Sequence, residues 1–249
     1  MKIHATAAAG FTKPDIYEQG RPGYPSGAVD ILALREGMRV VDLGCGTGKL
    51  TRQLVLTDAE VIGVEPLEGM LATFHDLLPD VPILNGTAEE IPLPDSSVDV
   101  VTCASAFHWF DHDRAIPEIR RVLKAGGRLA IIWNRRDSLE GWAAEFWNIT
   151  EAFRGETPGY RTGAWRSALD ASPLFGPITE HPFAHTQTTD LDGLLARIES
   201  ISFIETLPEK TKADVLAEAR AFIASHPETR DRTTFAMPYR TVVYVAEAV

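Results

Sequence analysis

The chain has 249 residues, 45% of them hydrophobic, which is enough for one large α/β core with an attached helical cover. Its 24 basic and 35 acidic residues give a formal net charge of −11. This balance argues against nucleic acid as a partner, because phosphate binding needs clustered Lys and Arg. No apolar run could span a bilayer, and the first ten residues do not resemble a signal peptide. With only two cysteines, best interpreted as buried thiols of a reducing compartment, we expect a cytoplasmic protein without a membrane partner.

Glycines recur at alternate positions directly after the first predicted strand, residues 38–43. Gly44, Gly46 and Gly48 allow a tight reversal and a close approach of the backbone to a ligand, which a Cβ would block. A phosphate-binding loop would need glycine at position 43 and a hydroxyl at position 50, and leucine stands at both. The dinucleotide fingerprint would need a small residue where Lys49 stands, so NAD is an alternative with that residue against it. A glycine turn without a ligand is the third interpretation.

An acidic residue ends the second predicted strand, residues 59–64. Glu65 lies where an acid of a βαβ unit can accept hydrogen bonds from both ribose hydroxyls of an adenosine. Its alternative role is an acid at a helix N-terminus, because a helix is predicted to begin near Pro66. The third predicted strand, residues 81–85, leads into an acidic loop over residues 86–95, where an adenine amine would find an acceptor.

The rest of the chain continues the alternation of strands and helices. The fourth and fifth predicted strands, 97–103 and 128–133, flank a helical pattern over 111–124 that is closed by two glycines. Aromatic-rich helical stretches at 139–153 and 163–169 follow, and we place a lid there. A sixth strand, two amphipathic helices and a last strand are predicted at 178–188, 191–200, 210–224 and 240–246. This order of elements is typical of an α/β fold.

The glycine turn with Asp42 two residues before it, the acid after the second strand and the loop after the third together resemble the class I S-adenosylmethionine-dependent methyltransferases. The resemblance implies a Rossmann-like, seven-stranded, mostly parallel sheet with the last strand antiparallel, helices on both faces and a helical lid. It implies one methyltransferase domain over 1–249. Within it, 1–37 would cover the cofactor, 38–134 form the cofactor-binding core, 135–235 hold the lid, substrate insertions and sixth strand, and 236–249 form the last strand.

The same resemblance implies S-adenosylmethionine as the cofactor and a set of residues that bind it. The backbone at Ala88 and the carboxylate of Glu89 would read the adenine, and Ala104 would line the methionine end. The implied cofactor-binding residues are Tyr17, Arg21, Asp42, Gly44, Cys45, Gly46, Gly48, Glu65, Pro66, Ala88, Glu89 and Ala104.

Two further stretches, 17–25 and 107–111, resemble a small-molecule subgroup that is similar to the enzymes that esterify trans-aconitate and related small acids. Aromatic faces attract a sulfonium cation, which makes Tyr17, Tyr24, Trp109 and Trp133 candidate walls, with core packing as the alternative for each. Arg21 could pair with the methionine carboxylate of the cofactor or with an acidic substrate. Its alternative is a surface arginine in a proline-stiffened turn.

A histidine follows the fourth strand, at the expected mouth of the cofactor cleft. His108 is a candidate general base, because imidazole titrates near neutrality, and packing or hydrogen bonding by a non-catalytic histidine is the alternative. A carboxylate acceptor needs no base, and His108 would then only orient it or help to cover the cofactor. Asp111 is interpreted as the N-cap of the next helix. No His/Cys cluster has zinc-ligand spacing, so no metal is predicted.

The sequence thus predicts a methyltransferase that transfers a methyl group to a small organic acceptor, a carboxylate or a hydroxyl, by in-line displacement. The alternatives are a non-catalytic module that binds S-adenosylmethionine and an NAD-dependent oxidoreductase. The identity of the acceptor and the oligomeric state stay open at this point.

Overall fold

The computed structural model of the protein describes residues 4–136 and 140–249. Seven strands form one sheet in the order β3-β2-β1-β4-β5-β7-β6. All neighbours pair in parallel except β7, which runs antiparallel to both β5 and β6. The predicted seven-stranded sheet with an antiparallel last strand is therefore confirmed. The strands are β1 Arg39–Leu43, β2 Glu60–Glu65, β3 Ile83–Asn85, β4 Val98–Ala104, β5 Leu123–Arg135, β6 Thr179–Thr189 and β7 Phe235–Glu247.

Helices cover the sheet and form the lid. Two short 3₁₀ turns lie at Phe107–Trp109 and Tyr160–Thr162. Within the described ranges, no helix is both long and apolar enough to cross a membrane. The α-helices are α1 Ala5–Gly10, α2 Pro14–Gly20, α3 Gly27–Asp30, α4 Thr51–Leu54, α5 Glu68–Leu77, α6 His112–Val122, α7 Gly141–Glu151, α8 Ala164–Asp170, α9 Leu191–Glu199, α10 Ser202–Glu205 and α11 Glu209–Ser225.

The central strands are buried on both faces, as expected for a parallel sheet covered by helices. In β1 the neighbouring residues Val40 and Val41 are both fully buried, yet they belong to separate apolar clusters. Because successive side chains of a strand point to opposite faces, one cluster lies on each side of the sheet. This two-sided burial holds the carboxyl ends of β1, β2 and β4 side by side at one edge.

A third apolar cluster lies in the lid, where α7, α9, α10 and α11 pack around the start of β7. Phe235, Met237 and Tyr239 are buried there at alternate positions. The last strand was predicted to begin only at residue 240, because the sequence does not show that β6 and the lid helices extend the pairing back to Phe235. The predicted helix 139–153 corresponds to α7, and its first residue, Leu139, lies outside the described residues.

The first two helices lie between the lid and the carboxyl edge of the sheet. A Cβ added at Gly10 would lie 2.7 Å from Ser202, and one added at Gly20 would overlap the backbone of Arg197. Glycine at these positions lets α1 approach α10 and lets α2 approach α9 at backbone contact. The N-terminal segment is therefore packed between the lid and the sheet.

Candidate cofactor and acceptor cavities

The glycine turn bends over the end of β1 as predicted. Gly44 and Gly46 have positive φ angles of +69° and +56°, which L-residues with a side chain rarely adopt. The backbone N–H groups of Gly44 and Cys45 both donate to the Val64 carbonyl, at 2.8 and 3.2 Å. A Cβ at Gly46 would meet no atom within 4 Å, so this part of the backbone borders open space. The turn thereby presents bare backbone to a cavity at the sheet edge.

Glu65 lies beside this turn at the end of β2. The side chain is buried, and its two oxygens accept hydrogen bonds from the backbone N–H groups of Gly46 and Leu67, each at 3.0 Å. Burial raises the pKa of Glu65 to about 7, although these hydrogen bonds oppose the shift. A carboxylate has about four acceptor sites, so hydrogen-bonding capacity remains on the cavity side.

The first cavity is bordered by the glycine turn, the ends of β2 and β4, the loop after β3 and the N-terminal helices. It encloses about 780 Å³ together with its open mouth. Glu89, in the loop after β3, also accepts a hydrogen bond from the Asp111 N–H at 2.9 Å. Eight of the predicted cofactor residues line this cavity: Tyr17, Gly44, Gly46, Glu65, Pro66, Ala88, Glu89 and Ala104.

Three other predicted cofactor residues lie in or next to the glycine turn but do not line the first cavity. Asp42 is fully buried and accepts hydrogen bonds from the hydroxyls of Thr51 and Thr102, at 2.6 and 3.1 Å. Burial raises its pKa to about 6. Cys45 and Gly48 are also outside the cavity lining: the sulfur of Cys45 packs beside Gly63, and Gly48 has a φ of +84°. Direct contact between these three side chains and the cofactor stays a prediction.

A second cavity adjoins the first and encloses about 700 Å³ with its mouth. It lies between the ends of β4 and β5, the loop after α7 and the helices α2, α9 and α10. Three of the candidate aromatic walls, Tyr17, Trp109 and Trp133, line it. Its lining shares four residues with that of the first cavity: Phe11, Tyr17, Ser105 and Trp109.

Arg21 lines the second cavity and not the first. Its Nε donates to the hydroxyl of Ser200 at 3.1 Å, and its Nη2 donates to the Ser200 carbonyl at 2.6 Å. The guanidinium lies 4.9 Å from the centre of the Tyr17 ring. Burial lowers the pKa of Arg21 to about 10, so the group stays charged at neutral pH. Arg21 therefore lines a cavity and bonds to Ser200, and the alternative interpretation as a surface arginine does not apply.

His108 lines the second cavity as well. Burial lowers its pKa to about 3, so the imidazole is neutral at physiological pH. Its Nδ1 is buried and has no hydrogen-bond partner among the described residues. The ring lies 4.8 Å from Trp109 and 6.3 Å from Trp133, measured between ring centres. A neutral imidazole that retains one unused hydrogen-bonding nitrogen therefore borders this cavity.

Ser105, at the junction of the two cavities, was not singled out from the sequence. Its φ of +57° is unusual for a residue with a side chain, and its hydroxyl is hydrogen-bonded to that of Tyr24 at 3.2 Å. Tyr24 itself borders neither cavity. Its position directly after Ala104, at the end of β4, is the feature of the sequence that could have indicated a place in the site. Asp111 directly precedes α6, but its side chain makes no capping hydrogen bond.

Comparison with known proteins identifies the family. The chain is 40% identical to an uncharacterised methyltransferase of Mycobacterium tuberculosis over 91% of its own length and 90% of the relative's. The chain belongs to the methyltransferases. It is also 33% identical to an uncharacterised methyltransferase-like protein of Schizosaccharomyces pombe, over 93% and 92% of the two chains, and its residues 41–131 match the methyltransferase domain family.

A solved structure from Anaeromyxobacter dehalogenans, described as a type II methyltransferase, superposes with a TM-score of 0.65 at 26% identity. The match covers 92% of this methyltransferase and 97% of that chain. The prediction of a class I S-adenosylmethionine-dependent methyltransferase is confirmed. None of the three relatives' names gives a substrate, so the resemblance to the small-acid subgroup stays a prediction.

S-adenosylmethionine is the cofactor of this methyltransferase, and the residues of the first cavity suit it. The backbone of Gly46 borders open space, which a side chain at this position would occupy. Glu65 offers a carboxylate for the ribose, and the buried Met70 and Ala88 offer apolar surface for the adenine. In the part of the chain that the structure describes, no group of three or more His, Cys, Asp and Glu residues could hold a metal ion.

Proposed function

We propose that this methyltransferase transfers the methyl group to an oxygen, carboxylate or hydroxyl, of a small organic molecule held in the second cavity. The observation that carries the proposal is the lining that the two cavities share at Phe11, Tyr17, Ser105 and Trp109. A cofactor in the first cavity and an acceptor in the second would meet at this boundary. Direct displacement needs such an approach, because the attacking atom must lie behind the methyl group.

S-adenosylmethionine, when bound, supplies an electrophilic methyl group on a sulfonium. The aromatic rings of Tyr17 and Trp109 border both cavities. Attraction between an aromatic face and a cation such as the sulfonium contributes about 0.5 to 2 kcal/mol. Residues of the lid and of the N-terminal segment line the second cavity, so an acceptor bound there would be partly shielded from water. Positioning and exclusion of water are therefore the main contributions of this chain.

The proton requirements favour an acceptor that is already a nucleophile. His108 has a pKa near 3, which makes it a weak base for a hydroxyl group. A carboxylate oxygen needs no deprotonation at neutral pH, and the free nitrogen of His108 would then orient it. We place His108 in the acceptor site in this role.

The second cavity also separates the enzyme from its main alternative. In a non-catalytic module that binds the cofactor, the space beside the sulfonium would be filled by side chains. Here that space is open and is lined by polar groups such as Asn134 and His108. This arrangement favours catalysis.

The test begins with calorimetric titrations of S-adenosylmethionine, S-adenosylhomocysteine and NADH. We expect both adenosyl compounds to bind and NADH not to bind. The protein is then incubated with S-adenosylmethionine carrying a labelled methyl group and a panel of small acids and alcohols. Transfer of label to at least one small compound supports the proposal. Cofactor binding without transfer to any acid or alcohol, but with transfer to protein or nucleic acid, would overturn it.

A further inference from the structure

Three arginine side chains converge on the second cavity without a carboxylate to neutralise them. Arg21, Arg136 and Arg197 all line it, and within the described residues none of them forms an ion pair. Buried nitrogens without a hydrogen-bond partner include Nη1 of Arg136 and both Nε and Nη1 of Arg197. Arg154 also lines the cavity, but Glu151 pairs with it at 2.8 Å. Arginine side chains that line the cavity therefore hold hydrogen-bond donors that no described protein group uses.

The indole of Trp147 orients two of these groups. The guanidinium carbon of Arg136 lies 4.0 Å from the ring centre, and that of Arg197 lies 5.1 Å from it. Cation–π contact with one ring favours both cations and restricts their orientation. The backbone of Arg197 is fixed in turn by its contact with Gly20 of α2. The two charges are thus positioned before any ligand arrives.

Holding these charges together is electrostatically unfavourable. Burial, together with the charge of Arg197, lowers the pKa of Arg136 to about 9. At neutral pH the Arg136 guanidinium still carries its proton, and it lies beside the charge of Arg197 without an ion-pair partner among the described residues. An anion that accepts hydrogen bonds from these donors would remove both the repulsion and the unsatisfied donors.

We propose that Arg136, Arg197 and Arg21 form an anion subsite that binds a carboxylate or phosphate group of the methyl acceptor. The inference rests on the proposed function, because it assigns the chemistry of the molecule held in the second cavity. None of the three arginines lines the first cavity, and the shared lining contains no arginine. The bound anion therefore lies in the second cavity and not in the first, where it anchors the acceptor while a different oxygen receives the methyl group.

The experiment uses protein saturated with S-adenosylhomocysteine, which occupies the cofactor site and its carboxylate contacts. Calorimetry at constant ionic strength then measures binding of glutarate and glycerol 3-phosphate, with glutaramide and glycerol as neutral counterparts. We expect at least one anion to bind at least tenfold more tightly than its neutral counterpart. The two anions distinguish a carboxylate anchor from a phosphate anchor.

The double variant Arg136→Met/Arg197→Met removes the charges but keeps the length of both side chains. We expect it to lose at least tenfold in anion affinity and to bind S-adenosylhomocysteine as the wild type does. The control is Arg220→Met, at an exposed position of α11. If the double variant does not fold, the single variants Arg136→Lys and Arg197→Lys decide, and weaker anion binding is expected because lysine lacks the bidentate fork.

Two results would overturn the subsite: no preference of the wild type for anions over neutral counterparts, or equal anion binding by wild type and variants. Failure of the wild type to bind S-adenosylhomocysteine would instead count against the proposed function. The titrations of unloaded protein would then still decide whether the anion subsite exists.

Discussion

Lys49 donates from its ammonium group both to the carboxylate of Glu18, at 2.9 Å, and to the backbone carbonyl of the same residue, at 2.7 Å. The Glu18 carboxylate also accepts hydrogen bonds from Thr47 and Arg52, each at 2.7 Å. Glu18 belongs to α2, whereas its three partners lie in and after the glycine turn. Lys49, whose side chain argues against a dinucleotide site, therefore links helix α2 of the N-terminal segment to the glycine turn.

We expect Glu18→Gln to weaken both the cover and cofactor binding. Burial disfavours the charged form of Glu18, but the hydrogen bonds from Lys49, Thr47 and Arg52 outweigh it and hold its pKa below the ordinary value. Because the carboxylate is partly exposed, we expect a loss of about 1 kcal/mol, or about fivefold in affinity for S-adenosylhomocysteine. Calorimetry measures the affinity, and Glu36→Gln at an exposed position is the control. Unchanged affinity would mean that α2 does not contribute to the cofactor site.

The affinity for S-adenosylhomocysteine should rise about tenfold between pH 6 and pH 8, because the ionised form of Glu65 accepts hydrogen bonds better. The pKa of Glu65 in the folded protein is about 7, above its ordinary value of 4.5. The stability contributed by this group is therefore present below pH 4.5 and is lost as the pH rises through 7, while cofactor binding gains.

Glu65→Gln should remove most of this pH dependence and lower the affinity at pH 8. Glu68→Gln, at an exposed position three residues further on, should leave both unchanged. The same slope in wild type and Glu65→Gln would show that another group, such as the buried Asp42, causes the pH dependence.

The cofactor side of the site could be predicted because its residues follow strands whose order the sequence shows. Glu65 and Ala104 each end a strand, and the carboxyl ends of neighbouring parallel strands share one edge. The orientation of side chains within the turn was not predictable in the same way. Asp42 and Cys45 belong to the motif, yet neither side chain lines the cavity, because Asp42 is held by hydrogen bonds from Thr51 and Thr102 and the sulfur of Cys45 packs beside Gly63.

The acceptor side could not be assembled from the sequence. Arg136 follows β5, Arg197 lies on α9 and Trp147 on α7, and only the folded lid brings them together. No local pattern in the sequence distinguishes a guanidinium that lines a cavity, such as that of Arg136, from an exposed one. This arrangement depends on how the lid helices pack against each other, and no periodic pattern in one sequence predicts that packing.

His108→Gln should reduce kcat by less than about tenfold, far short of the hundredfold or more that loss of a general base costs. With a pKa near 3, His108 keeps the same protonation state from pH 5.5 to pH 8. At saturating cofactor, the pH profiles of wild type and variant should therefore have the same shape. The exposed His75→Gln is the control. A larger fall in kcat together with loss of an acid limb would instead assign the base to His108.

Gly20→Ala tests the contact between α2 and α9, and here helix propensity and packing predict opposite signs. Alanine is favoured over glycine within a helix by about 1 kcal/mol. An added Cβ at Gly20, however, would lie 2.6 Å from the Cα of Arg197, and backbone atoms cannot move aside as a flexible side chain can. We expect packing to dominate, with a loss of about 1 to 3 kcal/mol in the free energy of unfolding.

The matched control is Gly23→Ala, because a Cβ at Gly23 would meet no atom within 4 Å. Its stability should stay the same or rise by up to about 1 kcal/mol, since alanine restricts the unfolded chain. Denaturant unfolding measures the stability of both variants.

Separation of α2 from α9 would also move Tyr17 and Arg197 apart, so Gly20→Ala should weaken anion binding in the second cavity more than it weakens cofactor binding. A Gly20→Ala protein as stable as Gly23→Ala would contradict the close approach of the two helices.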